Sequence, residues 1–159
     1  MGAATALIAF AVDQAHKWWM LGPFDIAARQ PVRIAPFMDL VLAWNHGVSY
    51  GWFSSLGANG RWILIAVSLA ITVMLAVWLV KATDRLSALA LGLLIGGALG
   101  NALDRVIHGA VADFFFFHGF GFSWYVFNLA DVAIVAGVAG LLYASWTAGG
   151  TTEATRTNA

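Results

Sequence analysis

Cysteine is absent from the 159 residues. That removes a disulfide framework, a thiolate nucleophile, a cysteine-ligated metal and any lipid carried on a thiol. Charge is scarce as well. Asp, Glu, Lys and Arg make up 10% of the chain, against about a quarter in ordinary soluble domains. Eight acids balance eight bases, and this neutral chain argues against a nucleic-acid partner. Proline occurs only as Pro23, Pro31 and Pro36, so helices elsewhere run without that interruption. The motifs HExxH, GxSxG and GxxxxGK[ST] are missing. The four histidines, His16, His46, His108 and His118, are scattered, which makes a metal site improbable. Ser49, Ser54, Ser55 and Ser123 sit in no nucleophile motif. No repeat with a period of about 20 to 50 residues appears.

What is present is apolar. Hydrophobic residues make up 61% of the chain, and the length suits one domain. The expected fold is an all-α polytopic membrane protein of four transmembrane helices, with a small β-containing module between helices one and two. The spans are placed at about 3–20, 62–80, 86–105 and 128–147. The span 62–80 is the clearest, with only Ser68 and Thr72 as mildly polar residues. The first turns polar in its second half, at Asp13, Gln14, His16 and Lys17. It lacks a basic leading region and a small-residue cleavage site, so it reads as a retained helix rather than a signal peptide. Asp13 and Lys17 stand i, i+4 in the favourable order and read as a structural polar pair near the membrane surface. Trp18 and Trp19 suit an interfacial belt. Residues 21–60 form the module. Leu40, Leu42 and Trp44 alternate with Asp39 and Asn45 there, which suggests short strands or an interfacial element. It forms either a rim for a substrate lying in the bilayer or an aromatic cap on the headgroups. Residues 106–126 read as a loop, and 149–159 as a disordered tail.

The stretch Gly96–Asp131 holds Asp104, Asp113 and Asp131, three of the eight acids, beside the most apolar segments. An acid there is a functional candidate by default. Gly92, Gly96 and Gly100 stand four apart on one helix face, which lets another helix approach closely. Asn101 and Arg105 repeat that spacing, and Asn128 and Asp131 share a face on the next helix. The two polar helix ends can therefore meet at one membrane surface. Two adjacent carboxylates cannot both ionise cheaply, so they share a proton. The ionised one takes a proton from an attacking water; the other polarises a carbonyl and protonates the leaving amine. Spacing leaves open which two acids pair. It also leaves a protease and a proton-coupled carrier level.

The ordered blocks DQAHK (Asp13–Lys17), NHG (Asn45–Gly47), GGALGNALDR (Gly96–Arg105), VADF (Val111–Phe114) and FNLAD (Phe127–Asp131) resemble the lipoprotein signal peptidases, the type II signal peptidases of bacteria. The resemblance implies a four-helix intramembrane aspartyl protease that cuts prolipoproteins before a diacylglyceryl-modified cysteine. It implies Asp113 and Asp131 as the catalytic dyad. Asn45, Gly47, Asn101, Asp104, Arg105 and Asn128 become supporting or substrate-binding residues. It also implies the bacterial cytoplasmic (inner) membrane, with both termini cytoplasmic, the module extracytoplasmic and the site near the outer face. The charge count alone is ambiguous on that orientation. Partners would be the modified prolipoproteins and membrane lipids, the protein a monomer, and no metal or organic cofactor would be needed. A groove along the glycine face is the expected apolar entrance for the lipid. Two segments depart from the family's pattern: VSYGWF after NHG is bulkier, and FFFFHGFGF between the two acids is unusually aromatic.

Overall fold

The computed structural model describes residues 1–47 and 58–157. The elements run α1 (Gly2–Leu21), α2 (Ile26–Arg29), β1 (Val32–Ala35), β2 (Met38–Asn45), α3 (Ala58–Lys81), α4 (Arg85–His108), β3 (Val111–Gly119), β4 (Phe122–Phe127) and α5 (Leu129–Thr157). The VSYGWF segment lies outside the described residues. Both ends of α4 are chemically marked. The Asp84 side chain accepts the Ser87 N–H at 2.7 Å at its start. At its end Gly109 takes the left-handed conformation, φ 78°, and returns its N–H to the Arg105 carbonyl, a stop that glycine makes without steric cost.

Among the described residues three helices are long and apolar enough to cross a membrane: Gly60–Lys81, Arg85–His108 and Leu129–Thr147. That is one fewer than the four expected. The 20-residue α1 is not among them, because Asp13, Gln14, His16 and Lys17 interrupt its second half. The helix α5 continues to Thr157, past residue 149, where the composition places a tail.

The bundle is built around α4. Over half of its spanning window is buried, 56%, against 11% for α3 and for α5. Small residues make this possible. A Cβ at Gly96 would lie 2.5 Å from the Ala6 carbonyl oxygen, and one at Gly100 2.5 Å from Asp13 Oδ2. On the adjacent face a Cβ at Gly97 would lie 2.5 Å from the Ala130 carbonyl oxygen. In return Gly137 of α5 packs on Ala90 and Leu94. Helix α1 therefore runs parallel to α4, and α5 antiparallel. The expected groove along the glycine face does not exist: α1 fills it. Ala6, Leu75, Leu91, Leu94 and Ile95 form the apolar core between α1, α3 and α4. Gly2 meets Leu79 and Ala88, so the chain start lies at the α3–α4 turn, at the opposite end from the sheet.

The four strands form one antiparallel sheet in the order β1-β2-β3-β4. Two corrections follow. The fold is not all-α, and the region 106–126 is not a loop: it carries β3 and most of β4. The module between the first two long helices thus supplies half of the sheet, and the α4–α5 connection supplies the rest. Aromatic residues favour a pleated, half-buried surface, which suits Phe114–Phe117 to a strand. The hairpin turns through Phe120 (φ 51°) and Gly121 (φ 78°). Met20, Ile26, Ala112 and Phe114 bury each other beneath the sheet, fixing it to the end of α1.

Candidate active site

Asp113 sits four residues beyond the α4 stop, on the buried first half of β3, and is 2% exposed. The register Ala43↔Asp113 and Asn45↔Val111 puts Asn45 diagonally across from it on the same sheet face. Asn45 Nδ2 donates to Asp113 Oδ2 at 3.2 Å. Gly47 fixes the sense of that amide, because its N–H donates to Asn45 Oδ1 at 3.1 Å. The other oxygen, Asp113 Oδ1, accepts from Asn128 Nδ2 at 2.6 Å.

Asp131 lies in the first turn of α5. Its N–H donates to Asn128 Oδ1 at 3.0 Å, and the Asn128 N–H donates back to Asp131 Oδ2 at 3.2 Å. This is a reciprocal capping box, with the N-cap amide and the carboxylate three residues on satisfying each other's backbone donors. Asn128 is fully buried and so bridges the two acids: it starts α5, orients Asp131 and holds Asp113. The remaining oxygen, Asp131 Oδ1, accepts from Asn101 Nδ2 at 2.9 Å.

Beneath this pair lies a second polar cluster. Lys17 Nζ stands 2.9 Å from Asp13 Oδ2, 3.0 Å from Asp104 Oδ2 and 3.2 Å from Asn101 Oδ1. Asp13 Oδ1 accepts the Ala130 N–H at 3.0 Å, tying α1 to α5. Asp104 Oδ2 accepts the Ala112 N–H at 3.1 Å, tying α4 to β3. Gln14 Nε2 donates to Asp13, to Asp104 and to the Gly100 carbonyl at 3.1 to 3.2 Å. Arg105 donates to the Asn101 carbonyl at 3.2 Å, and its Nε is buried without a partner among the described residues. Asp104 is thus drawn away from the other two acids, into the cluster with Lys17.

Burial pushes the Asp113 carboxyl up to about 6 from its ordinary 3.8. The nearby charge of Asp131 adds to the rise, and the Asn128 and Asn45 donors oppose it. A carboxyl titrating there can carry a proton close to neutral pH. No group of three or more His, Cys, Asp or Glu that could hold a metal ion occurs among the described residues.

Asn45, Asp113 and Asp131 open onto one cleft of about 970 Å³. Its walls are aromatic and aliphatic: Phe117, Phe120, Phe122 and Trp124 from the β3–β4 hairpin face Val132, Val135, Ala136 and Ala139 of α5. Asn45, Asp113 and Asp131 stand at its acid end, and His118, which pairs with Asp39 at 2.9 Å, and Tyr125 also line it. Every singled-out site residue except Gly47 and Arg105 therefore has its side chain in the acid pair or the cluster beneath it. Sequence reasoning missed three things. Gln14 was legible only as the second letter of DQAHK. The Lys17–Asn101 contact joins α1 to α4, and His118–Asp39 joins β3 to β2; neither has a local signature.

A family model described as signal peptidase (SPase) II matches residues 5–147. The lipoprotein signal peptidase of Beijerinckia indica subsp. indica is 55% identical over 147 residues, covering 92% of this chain and 88% of that protein. That of Nitrobacter hamburgensis is 54% identical over 149 residues, covering 91% of each. A bacterial membrane enzyme solved by the in meso method at 2.3 Å resolution superposes with a TM-score of 0.78 at 26% identity, over 92% of this chain and 87% of that one. Family, sequence and fold agree along nearly the whole length, and the chain belongs to the signal peptidase II family of lipoprotein signal peptidases.

Proposed function

We propose that this peptidase is an intramembrane aspartic endopeptidase with Asp113 and Asp131 as its dyad. The observation that carries the reading is the pair of carboxylates bridged by one buried amide, Asn128, at one end of a largely apolar cleft. The two acids share one proton. The ionised carboxylate takes a proton from water as the water oxygen attacks the scissile carbonyl carbon. The protonated carboxyl donates to the carbonyl oxygen, and as the tetrahedral intermediate collapses a proton passes to the leaving amine. Asn45, Asn101 and Asn128 hold the carboxylates; Asp104 and Arg105 brace α4.

The substrate on this reading is a prolipoprotein cut before a diacylglyceryl-modified cysteine. A cleft walled by Phe117, Phe122, Trp124, Val132 and Val135 suits a lipid-bearing peptide and excludes no group that the reaction needs. The chain's own lack of cysteine is immaterial, because the thiol belongs to the substrate. Helix α1 serves as a fourth span. In support, it runs beside α4 from Gly2 at Ala88 to Lys17 at Asp104, the depth that α4 itself covers. The protein works as a monomer among the lipids of the bacterial inner membrane, with both termini cytoplasmic and the dyad near the outer face, where water reaches it.

The test is cleavage of a purified diacylglyceryl-modified prolipoprotein, beside its unlipidated twin. Wild type should cut the modified protein before the cysteine, and Asp113→Asn and Asp131→Asn should each abolish the cut while remaining folded. Activity retained by either variant removes that residue from the dyad. No cleavage by folded wild type would turn the acids into a proton path.

A further inference from the structure

The Lys17 ammonium has three protons, and each meets an acceptor: Asp13 Oδ2, Asp104 Oδ2 and Asn101 Oδ1. The residue is 3% exposed, so water offers no substitute. The first two contacts neutralise buried charge. The third goes to a neutral amide and does no neutralising. Its consequence is directional. An amide presents oxygen on one side and N–H on the other. With Oδ1 held by the ammonium, Asn101 must turn Nδ2 the other way, and that atom lies 2.9 Å from Asp131 Oδ1. The flipped amide would set N–H against ammonium and oxygen against carboxylate.

The same oxygen sets the next amide. Asn101 Oδ1 also accepts from Asn128 Nδ2 at 3.2 Å. This leaves Asn128 Oδ1 for the Asp131 N–H and aims Nδ2 at Asp113 Oδ1 as well. One charge on α1 thus fixes the sense of two amides, one on α4 and one at the head of α5, and each amide touches a carboxylate of the pair.

We infer that Lys17 is a positioning residue for catalysis: it acts through Asn101 to orient Asn128 and both carboxylates, beyond its part as counter-charge to Asp13 and Asp104. This rests on the reading of Asp113 and Asp131 as the dyad. Any loss on removing Lys17 should then pass through Asn101. A counter-charge alone would act whether or not Asn101 is present.

The experiment is a double-mutant cycle on turnover of the diacylglyceryl-modified prolipoprotein. Lys17→Met alone leaves two buried carboxylates without their cation and is apt to unfold. The cycle is therefore run in an Asp104→Asn parent, where losing the lysine leaves the cluster with the net charge it has in wild type. Melting temperature in detergent is read for every variant. With Asn101 present, Lys17→Met should lower kcat by about tenfold or more, with KM within about threefold, since a small misplacement of catalytic groups costs rate rather than binding. In the Asn101→Ala background the same change should cost less than about twofold. Lys17→Gln, which keeps an N–H donor without the charge, should recover part of the kcat and is the second variant should Met not fold. An equal factor in both backgrounds, no loss with Asn101 present, or equal loss with Met and Gln each overturns the inference. The dyad reading fails separately, by activity surviving in Asp131→Asn.

Discussion

Replacing Asp113 by Asn should stop the chemistry and stabilise the fold, with a size that depends on pH. Burial and the Asp131 charge raise the Asp113 carboxyl from 3.8 to about 6. A raised carboxyl favours the folded state while it holds its proton and opposes it once ionised. The sign is therefore fixed: stability is full below the unfolded value, is lost as pH climbs towards 6, and stays lost above it. A rise of roughly two units corresponds to about 3 kcal/mol at pH 8. Asparagine escapes that cost but turns one N–H towards either Asn128 Nδ2 or Asn45 Nδ2, where two oxygens now accept. Two donors then face each other, and a buried donor left unpaired costs about 1 to 3 kcal/mol. The net gain at pH 8 is then about 0 to 2 kcal/mol, or at most about 8 °C in Tm for a chain of this size. The assay is thermal melting in detergent, followed by intrinsic fluorescence of the eight tryptophans, across pH 4 to 8. The gain should shrink to nothing, or reverse slightly, by about pH 4, where Asp113 keeps its proton. A variant that melts below wild type at pH 8, or a difference that does not change with pH, refutes the reasoning.

Asp104→Asn should act mainly on stability. Its charge meets Lys17 at 3.0 Å and its oxygens accept from Gln14 and from the Ala112 N–H, while Lys17 keeps Asp13. The expected loss is about 1 to 3 kcal/mol, read as a lower detergent Tm, with kcat reduced by less than about tenfold; a larger fall in kcat at unchanged Tm would place Asp104 in the chemistry. Gly97→Val should lower both Tm and turnover, by about 1 to 3 kcal/mol in stability, because a Cβ there meets the Ala130 carbonyl oxygen at 2.5 Å and Ile134 Cγ1 at 2.8 Å and pushes the head of α5 off α4. Gly119→Ala, with nothing within 4 Å, is the matching control for stability and should leave Tm unchanged; a wild-type Tm for Gly97→Val would show that the two helices do not need this close approach.

The helices were legible because their signals are local. A run such as Trp62–Val80 declares a span by composition. Asn128 and Asp131, three residues apart, declared a helix start. What stayed illegible depends on partners distant in sequence. The run Phe114–Phe117 reads as a greasy loop until β2, more than 60 residues earlier, pairs with it. The glycine line Gly92, Gly96 and Gly100 announces a close approach but not its occupant, so it looked like an entrance when α1 in fact closes it. The first helix is legible at 3–20, where α1 runs from Gly2 to Leu21, but it is less apolar than the other three. The residues that lower its apolarity, Asp13, Gln14 and Lys17, are spent on α4 and α5 rather than on water.

The position of the acid pair follows from α4 having two small faces rather than one. Gly96 and Gly100 admit α1, and Gly97, one residue round the helix, admits α5. Both partners come within backbone contact of the same turn, Gly96–Asn101, and that turn ends in the amide that meets Lys17 on one side and Asp131 on the other. A side chain at Gly97 or Gly100 would separate the helices there, and at Gly100 it would strike Asp13 Oδ2 itself. Two helices set back even by a methyl group would carry Lys17 and Asp131 beyond hydrogen-bond reach of a side chain as short as asparagine. The small residues are therefore more than a packing device. They set the distance over which one neutral amide can connect a buried cation on α1 to a carboxylate on α5. The polar cluster in turn pins α1 and α5 at the one end where glycine packing, lacking side chains, supplies little apolar contact of its own.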